Sequence, residues 1–295
     1  MPSSLVRTFT DPDEYAAAIR QGTMGLTITQ RGTFIAKLCL IDLHRLEIQR
    51  FSANLGWTAH IDYPGGWAAI AFQTRPGPSM MRHGRECAFT SVTRLGAGQS
   101  YYLRSPGPPS YGTISLPIDE MACLGGAVGG HDQTPPKDFL ILNPSPSALA
   151  KLRRLHKAAG DLAEDAPAVL AHPEAARGLE QALIEAMMDC LGGGEVHEDN
   201  AAHGQHAVIM RCFHRAIERH LDEPLYMSDL SRQLGVSART LQVCCQEHLG
   251  MGPKHFLLLR RMHLVRRALR ESTPADTTVT EILMRYGFWH FGRFA

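Results

Sequence analysis

The fold of the C-terminal part of the chain is decided by residues 227–242, MSDLSRQLGVSARTLQ. This stretch predicts a short helix, a tight turn at Gly235 and a second helix with Ser237 as its N-cap. Apolar residues fall where two steeply crossing helices bury them against each other: Leu230, Leu234, Val236, Leu241 and Cys245. A helix-turn-helix of this kind presents the polar edge of its second helix to the DNA major groove, where Arg reads guanine and Gln reads adenine.

The sequence that follows repeats the pattern. A long helix is predicted over 253–270, then a break over 271–278, and then residues 279–294, VTEILMRYGFWHFGRF, begin like a second helix-turn-helix. Two motifs at this separation are more specific than one, because single short motifs arise by chance in many helical proteins.

The arrangement of two motifs joined by one helix resembles the DNA-binding domain of the AraC/XylS family of transcription regulators. The residues that carry the resemblance are Leu230, Gly235, Val236, Ser237, Arg239, Thr240, Leu241, Gln242, His248, Leu249, Gly250, Pro253, Arg261, Met262, Leu269, Thr280, Glu281, Ile282, Tyr286, Gly287 and Phe288. The resemblance covers residues 207–295 and implies that double-stranded DNA and RNA polymerase are partners, mostly for activation.

Three departures from the family pattern stand out. Val243, Cys244 and Cys245 replace a basic residue and a buried Phe, which lowers the charge of the first recognition helix. Tyr226 occupies the usual Ser or Thr capping position. The family also continues past the Gly-Phe turn, so the resemblance predicts an incomplete second motif and leaves open a chain that folds but has lost operator affinity.

The predicted base-reading residues follow from the resemblance. In the first motif they are Arg239, Thr240, Gln242, Val243 and Gln246, with Val243 placed to contact a thymine methyl group, and the N-cap Ser237 is a further predicted DNA-binding residue. In the second motif they are His290, Phe291 and Arg293.

Charge is distributed unevenly along the chain. Residues 207–295 hold 13 Lys and Arg against 8 Asp and Glu, whereas residues 1–206 hold 17 against 21. The long helix carries a stripe made of Arg260, His263, Arg267 and Arg270, which is interpreted either as a phosphate-contacting surface or as an ordinary solvated face.

The cysteines and the N-terminus indicate the compartment. Seven cysteines without framework spacing fit a reducing cytoplasm, and neither an export signal nor a membrane span is predicted. Cys244 and Cys245 together suggest a redox sensor, but Cys245 at a buried helix position is the favoured interpretation.

The first half of the chain, residues 1–143, is predicted to be β-rich. After a short helix opened by Asp11 and Pro12, eight short apolar strands separated by Gly and Pro turns run from Leu26 to Leu116, with nothing helical between them. This pattern favours an antiparallel β-barrel or sandwich, and the resembled family often carries a cupin-like sensor barrel here. A His-X-His pair is missing, so no metal site is predicted, and because a catalytic triad and a phosphate-binding glycine loop are missing as well, no cofactor and no catalytic residue is predicted.

Aromatic residues in this β-rich part suggest a pocket for an unknown small-molecule effector, although a purely structural core explains them equally well. The candidate pocket residues are Trp57, Trp67, His83, Tyr101 and Arg104. Arg104 or Arg82 is expected to pair with a carboxylate.

Two amphipathic helices over 144–191 are predicted to form a hairpin that either mediates homodimerisation or packs on the barrel. Residues 192–206, rich in Gly and polar residues, predict a flexible linker. The expected fold class is therefore α+β multidomain, with a β sensor, a helical hairpin and an all-α double helix-turn-helix. The expected function is ligand-responsive regulation of transcription rather than catalysis. The alternative is a small-molecule-binding barrel whose helical tail mediates assembly.

Overall fold

The computed structural model describes residues 1–96, 98–128, 136, 138–192, 195–196, 201–220, 225 and 227–289. The strands are β1 (Ser3–Phe9), β2 (Thr23–Ile28), β3 (Ala36–Asp42), β4 (Glu47–Ala53), β5 (Trp57–Tyr63), β6 (Trp67–Gln73), β7 (Met80–Arg82), β8 (Arg85–Cys87), β9 (Val92–Leu95), β10 (Gln99–Ser105), β11 (Ser110–Pro117), β12 (Leu140–Asn143) and β13 (Glu195–Val196). The helices are α1 (Pro12–Ala18), α2 (Ile118–Val128), α3 (Pro146–Asp165), α4 (Pro167–Ala171), α5 (Pro173–Gly192), α6 (Ala201–Arg219), α7 (Met227–Leu234), α8 (Ala238–Leu249), α9 (Pro253–Glu271) and α10 (Val279–Arg285).

The strands pair antiparallel in two sheets. The larger sheet has the order β1-β3-β4-β11-β6-β9-β12-β13, and the smaller sheet has the order β2-β5-β10-β7-β8. Among the described residues the two sheets form a sandwich rather than a closed barrel. Because side chains alternate along a strand, β5 directs Trp57 into the sandwich and its neighbour Thr58 toward the opposite face.

The larger sheet is covered on its two faces by different partners. Its inner face packs against the smaller sheet through a core that includes Phe51, Trp57 and Tyr111. Its outer face packs against α3 and α5 through a second core that includes Ile48 and Leu183. The predicted helical hairpin therefore packs on the sheet, and this contact buries the apolar stripes of both helices.

Several elements differ from the sequence-based prediction. β1 lies in a stretch for which only a helix is predicted; four of its seven residues are exposed and only Phe9 is buried. α2 interrupts the region predicted to contain strands alone, and its acidic first turn, Asp119 and Glu120, suits a helix N-terminus. α6 begins at Ala201, within the predicted linker, and β13 pairs with β12 in the same stretch.

The C-terminal helices pack against the outer face of the smaller sheet, which is directed away from the larger sheet. Tyr102 of β10 belongs to the core formed by α6, α7, α8 and α9, together with Phe213, Leu241 and Phe256. Thr58 of β5 donates a hydrogen bond to the carbonyl oxygen of Leu249 at 3.3 Å. Within the described part of the chain, none of the helices combines the length and the apolar character needed to span a bilayer.

Candidate nucleic-acid interface and ligand cavity

The first helix-turn-helix forms as predicted. α7 ends at Leu234, Gly235 takes the positive φ of 65° that the turn requires, and α8 begins after Ser237. The hydroxyl of Ser237 accepts a hydrogen bond from the backbone N–H of Thr240 at 3.0 Å, which satisfies one free donor of the first turn of α8. The local geometry of the motif therefore follows from the turn glycine and the cap.

Apolar side chains and two cysteines fill the interior of this motif. Leu230, Leu241, Cys244 and Cys245 are fully buried. Burial raises the pKa of the Cys244 thiol to about 11 and raises the pKa of Cys245 further. Thiols that are neutral at physiological pH react slowly, so both cysteines act as core residues, as favoured for Cys245.

The opposite edge of α8 faces solvent. Arg239, Gln242, Val243 and Gln246 are exposed and recur at the spacing of one helix face, and Thr240 is half-buried beside them. Val243 exposes 48% of its surface, which leaves its methyl groups accessible to a partner. The residues predicted to read bases in the first motif thus lie along one continuous edge of α8.

The second motif is described only in its first helix. α10 opens with a reciprocal capping box in which Thr278 and Glu281 bond each other's backbone N–H groups. Ile282 and Leu283 pack on Val265 of α9, and Gly287 follows with a positive φ of 77°. The candidates His290, Phe291 and Arg293 lie outside the described residues, and so does the capping position Tyr226.

The basic stripe of α9 contacts the β-sandwich. Arg266 and Arg270 both form ion pairs with Asp11, the N-cap of α1, and Arg266 also bonds Asp13 at 3.1 Å. Arg267 pairs with Asp13 as well. Of the four stripe residues predicted to contact phosphate, Arg267 and Arg270 are therefore held by α1.

The other two stripe residues also have protein partners. Arg260 donates to Glu218 at 3.0 Å. His263 accepts a hydrogen bond through Nε2 from the backbone N–H of Ile28 at 3.1 Å. His263, Arg267 and Arg270 thus form an interdomain contact, and Arg260 is paired within the helical domain, so the stripe in this conformation is not a free phosphate-binding face.

A cavity of about 60 Å³ lies between the two sheets. Its walls are mainly apolar and aromatic, and they include Phe51, Trp57, Tyr63, Tyr101 and Tyr111. Trp57 and Tyr101 are two of the predicted pocket residues. Trp67, His83 and Arg104 do not line the cavity.

Trp67, His83 and Arg104 lie elsewhere in the structure. Trp67 is half-buried at the edge of the inner core. His83 faces the helical domain, with its ring centroid 5.5 Å from that of His248. Arg104 packs against Gly250, the residue that ends α8. Strand alternation sends Arg104 to the outer face of the smaller sheet, whereas His83 lies in the turn between β7 and β8, where its φ is 48°.

Arg82 provides the charge in the cavity. Its side chain is 1% exposed, its guanidinium carbon Cζ lies 4.3 Å from the centroid of the Tyr101 ring, and Nη2 donates to the hydroxyl of Tyr111 at 3.5 Å. Burial raises the pKa of Tyr111 to about 12, so that hydroxyl is neutral and does not compensate the cation. Nε and Nη1 of Arg82 have no hydrogen-bond acceptor among the described residues. The cavity therefore suits a small apolar molecule that carries an acidic group.

One further cluster of polar side chains is not predicted from the sequence. His60 and Asp62 of β5 meet His214 of α6 in the cleft between the smaller sheet and the helical domain, and their ligand atoms lie within 4.8 Å of one another. The alternation His60-Ile61-Asp62 places two of them on one strand face, but nothing in the sequence pairs that face with a helix so far along the chain.

Comparison with known proteins places the C-terminal part among regulators. A family model for a helix-turn-helix domain matches residues 230–295. The probable thc operon regulatory protein of Rhodococcus erythropolis is 44% identical over 87 residues, which are 30% of this chain and 26% of that protein. The XylDLEGF operon transcriptional activator 2 of Pseudomonas putida is 31% identical over 87 residues, which are 28% of this chain and 55% of that protein. The chain thus spans between about a quarter and about a half of the length of these relatives.

Solved structures give weaker similarity. Wild-type ToxT from Vibrio cholerae with a bound unsaturated fatty acid aligns with a TM-score of 0.32 and 10% identity, over 85% of this chain and 89% of that one. Hazelnut vicilin from Corylus avellana aligns with a TM-score of 0.22 and 12% identity, over 59% of this chain and 49% of that one.

Proposed function

We propose that this chain, whose C-terminal residues form a helix-turn-helix domain of the AraC type, is a sequence-specific DNA-binding transcription regulator that responds to a small molecule. The observation that carries the proposal is the solvent-facing edge of α8, with Arg239, Gln242, Val243 and Gln246 on one face of a capped recognition helix. The family match of residues 230–295 supports the same function.

The edge of α8 supplies the chemistry for reading bases. In the major groove Arg239 bonds guanine O6 and N7, Gln242 bonds adenine N6 and N7, and Val243 contacts a thymine methyl group. Thr240 and Ser237 lie at the N-terminal end of α8, where hydroxyls and the helix dipole favour phosphate. The second motif binds one helical turn away along the same DNA face.

Gln242→Ala is expected to weaken binding to the specific site by about 1–3 kcal/mol, because the variant loses a bidentate contact to adenine. The measurement is a fluorescence-anisotropy titration against the DNA upstream of the coding region at two salt concentrations. Gln205→Ala is the matched control, since Gln205 is an exposed glutamine on α6, outside the recognition helix and outside the hairpin made of α3 and α5.

Each outcome of this titration bears on the proposal. Selective loss of affinity in Gln242→Ala, with a steep salt dependence in the wild type, supports base reading by α8. Equal affinity of the wild type for upstream and random duplexes contradicts it. That result favours the alternative, a small-molecule-binding sandwich whose helical part mediates assembly.

The effector is assigned to the cavity between the sheets. Arg82 would pair with its acidic group, and Trp57 and Tyr101 would contact its apolar body. Binding there changes the inner face of the smaller sheet, whose outer face carries the helical domain. By linkage, DNA and effector then change each other's affinity by the same factor.

The partners follow from this proposal. A regulator of this type acts in the cytoplasm on double-stranded DNA and contacts RNA polymerase when it activates transcription. A homodimer would present two pairs of motifs to a repeated operator, and the exposed surface of the hairpin made of α3 and α5 is the proposed dimer contact.

A further inference from the structure

The cleft between the smaller sheet and α6 holds two histidines in an unusual arrangement. The rings of His60 and His214 are stacked, with centroids 3.2 Å apart and an interplanar angle of 8°. His60 is 5% exposed, and Asp62 reaches the same cleft from the solvent side, with its Oδ2 3.7 Å from Nδ1 of His60. Two imidazoles and a carboxylate therefore converge from two different parts of the fold.

Each imidazole is held through one nitrogen. Nε2 of His60 shares a hydrogen bond with the hydroxyl of Ser100 at 2.8 Å, and Nδ1 of His214 shares one with the hydroxyl of Tyr102 at 3.2 Å. Metal-ligating histidines are oriented in this way, because a partner on the second nitrogen fixes the ring and its tautomer. This leaves Nδ1 of His60 and Nε2 of His214 as the nitrogens suited to ligation.

We propose that His60, Asp62 and His214 bind one divalent transition-metal ion of the zinc class, which links the β-sandwich to the DNA-binding domain. Two imidazoles and one carboxylate suit such ions, and they leave a fourth position for water. The site is independent of the effector cavity, which lies on the other face of β5.

The distances and charges of the cleft fit this ion. Ligand atoms around tetrahedral zinc lie about 3.3 Å apart, as follows from zinc–ligand bonds of about 2.0–2.1 Å. The present spread of up to 4.8 Å closes when Asp62, the exposed member of the group, rotates inward and the ring of His214 tilts out of its stack on His60, because two parallel rings cannot both direct a nitrogen lone pair at one ion. Arg260 and Arg267 also face the cleft, but Arg260 is paired with Glu218 at 3.0 Å and Arg267 with Asp13 at 2.5 Å, and His263 is bonded to the backbone of Ile28.

The test is a titration of the metal-free full chain with Zn²⁺, followed by equilibrium dialysis and metal analysis, together with the visible absorption of Co²⁺ as a report of ligand geometry. The wild type is expected to bind one equivalent, and Asp62→Asn and His214→Gln are expected to bind at least tenfold more weakly. His172→Gln, which removes an exposed histidine far from the cleft, is expected to bind like the wild type.

The outcome separates this site from adventitious binding. Zn²⁺ is expected to raise the midpoint of thermal unfolding of the wild type and not that of Asp62→Asn, whose exposed position lets the variant fold. Equal binding by the wild type, Asp62→Asn and His214→Gln would overturn the proposal, and so would failure of the wild type to bind either metal at micromolar concentration. Neither readout requires DNA, so the result does not depend on the proposed regulatory function.

Discussion

Arg82→Met is expected to raise the free energy of unfolding of the effector-free protein by about 1–4 kcal/mol, because an apolar side chain of similar length replaces a buried cation that lacks a counterion. The wild-type guanidinium is 1% exposed, and Nε and Nη1 find no acceptor among the described residues. Methionine fills the same space without a desolvation cost. Chemical denaturation of the two proteins measures the difference.

The same substitution is expected to abolish the response to an acidic ligand. Removal of one partner of a buried charge pair typically costs about 2–5 kcal/mol of binding free energy. Propionate and propionamide are suitable probes, because they are small enough for a cavity of about 60 Å³ and differ only in the group that would face Arg82. Isothermal titration is expected to show preference for the acid in the wild type and none in the variant.

Arg75→Met is the control for both measurements, since Arg75 is exposed in the turn after β6 and its replacement leaves the cavity unchanged. If Arg82→Met is less stable than the wild type, the positive charge of the guanidinium is balanced by other groups of the protein. Equal binding of acid and amide by the wild type would remove Arg82 from effector recognition while leaving the DNA-binding proposal untouched.

The helix-turn-helix was predictable from sequence because its determinants are local. A glycine at the turn, a serine cap at 237 and apolar residues at helical spacing fix the motif within 16 residues, and the structure has all three. The AraC/XylS resemblance is confirmed by the family match and by the relatives described above. The predicted reading edge, from Arg239 to Gln246, depends on the same helical period.

The β-sandwich was predictable as a class but not in its contacts. Alternation identifies most strands, yet it does not reveal which of the two faces is covered by a helix far along the chain. His83 and Arg104 were for this reason assigned to the cavity, although they face the helical domain. The same limit explains why the ion pairs of Asp11 and the cluster of His60 with His214 were missed, since both join residues more than 150 positions apart.

Asp11→Asn combined with Asp13→Asn is expected to strengthen binding to duplex DNA and to steepen its salt dependence. The double variant keeps an N-cap on α1, because asparagine caps as well as aspartate, but it removes the negative charges that hold Arg266, Arg267 and Arg270. Each arginine that gains a phosphate contact adds about 0.9 to the slope of log affinity against log salt. Anisotropy titrations over a range of salt concentrations measure this slope.

Glu86→Gln combined with Asp119→Asn is the matched control, because it also removes two negative charges, from exposed positions outside α1 and outside the hairpin made of α3 and α5. An equal increase in both double variants would mean that net charge alone is responsible. An unchanged slope in the first variant would mean that the stripe of α9 does not reach DNA when it is released. A selective increase would show that α1 competes with phosphate for α9, so that sensor docking and DNA binding oppose each other.

The pH dependence of stability tests the same contact without DNA. Burial alone would raise the pKa of Asp11, but hydrogen bonds from the backbone of Glu14 and from Arg266 lower it below its ordinary value of 3.8. A carboxylate with a depressed folded-state pKa contributes stability that is present above its unfolded pKa and is lost as pH falls through the folded one. Between about pH 5 and pH 3 the wild type is therefore expected to lose more unfolding free energy than Asp11→Asn. Parallel loss in the two proteins would mean that the bonds to Asp11 do not persist in solution, and the competition between α1 and DNA would lose its physical basis.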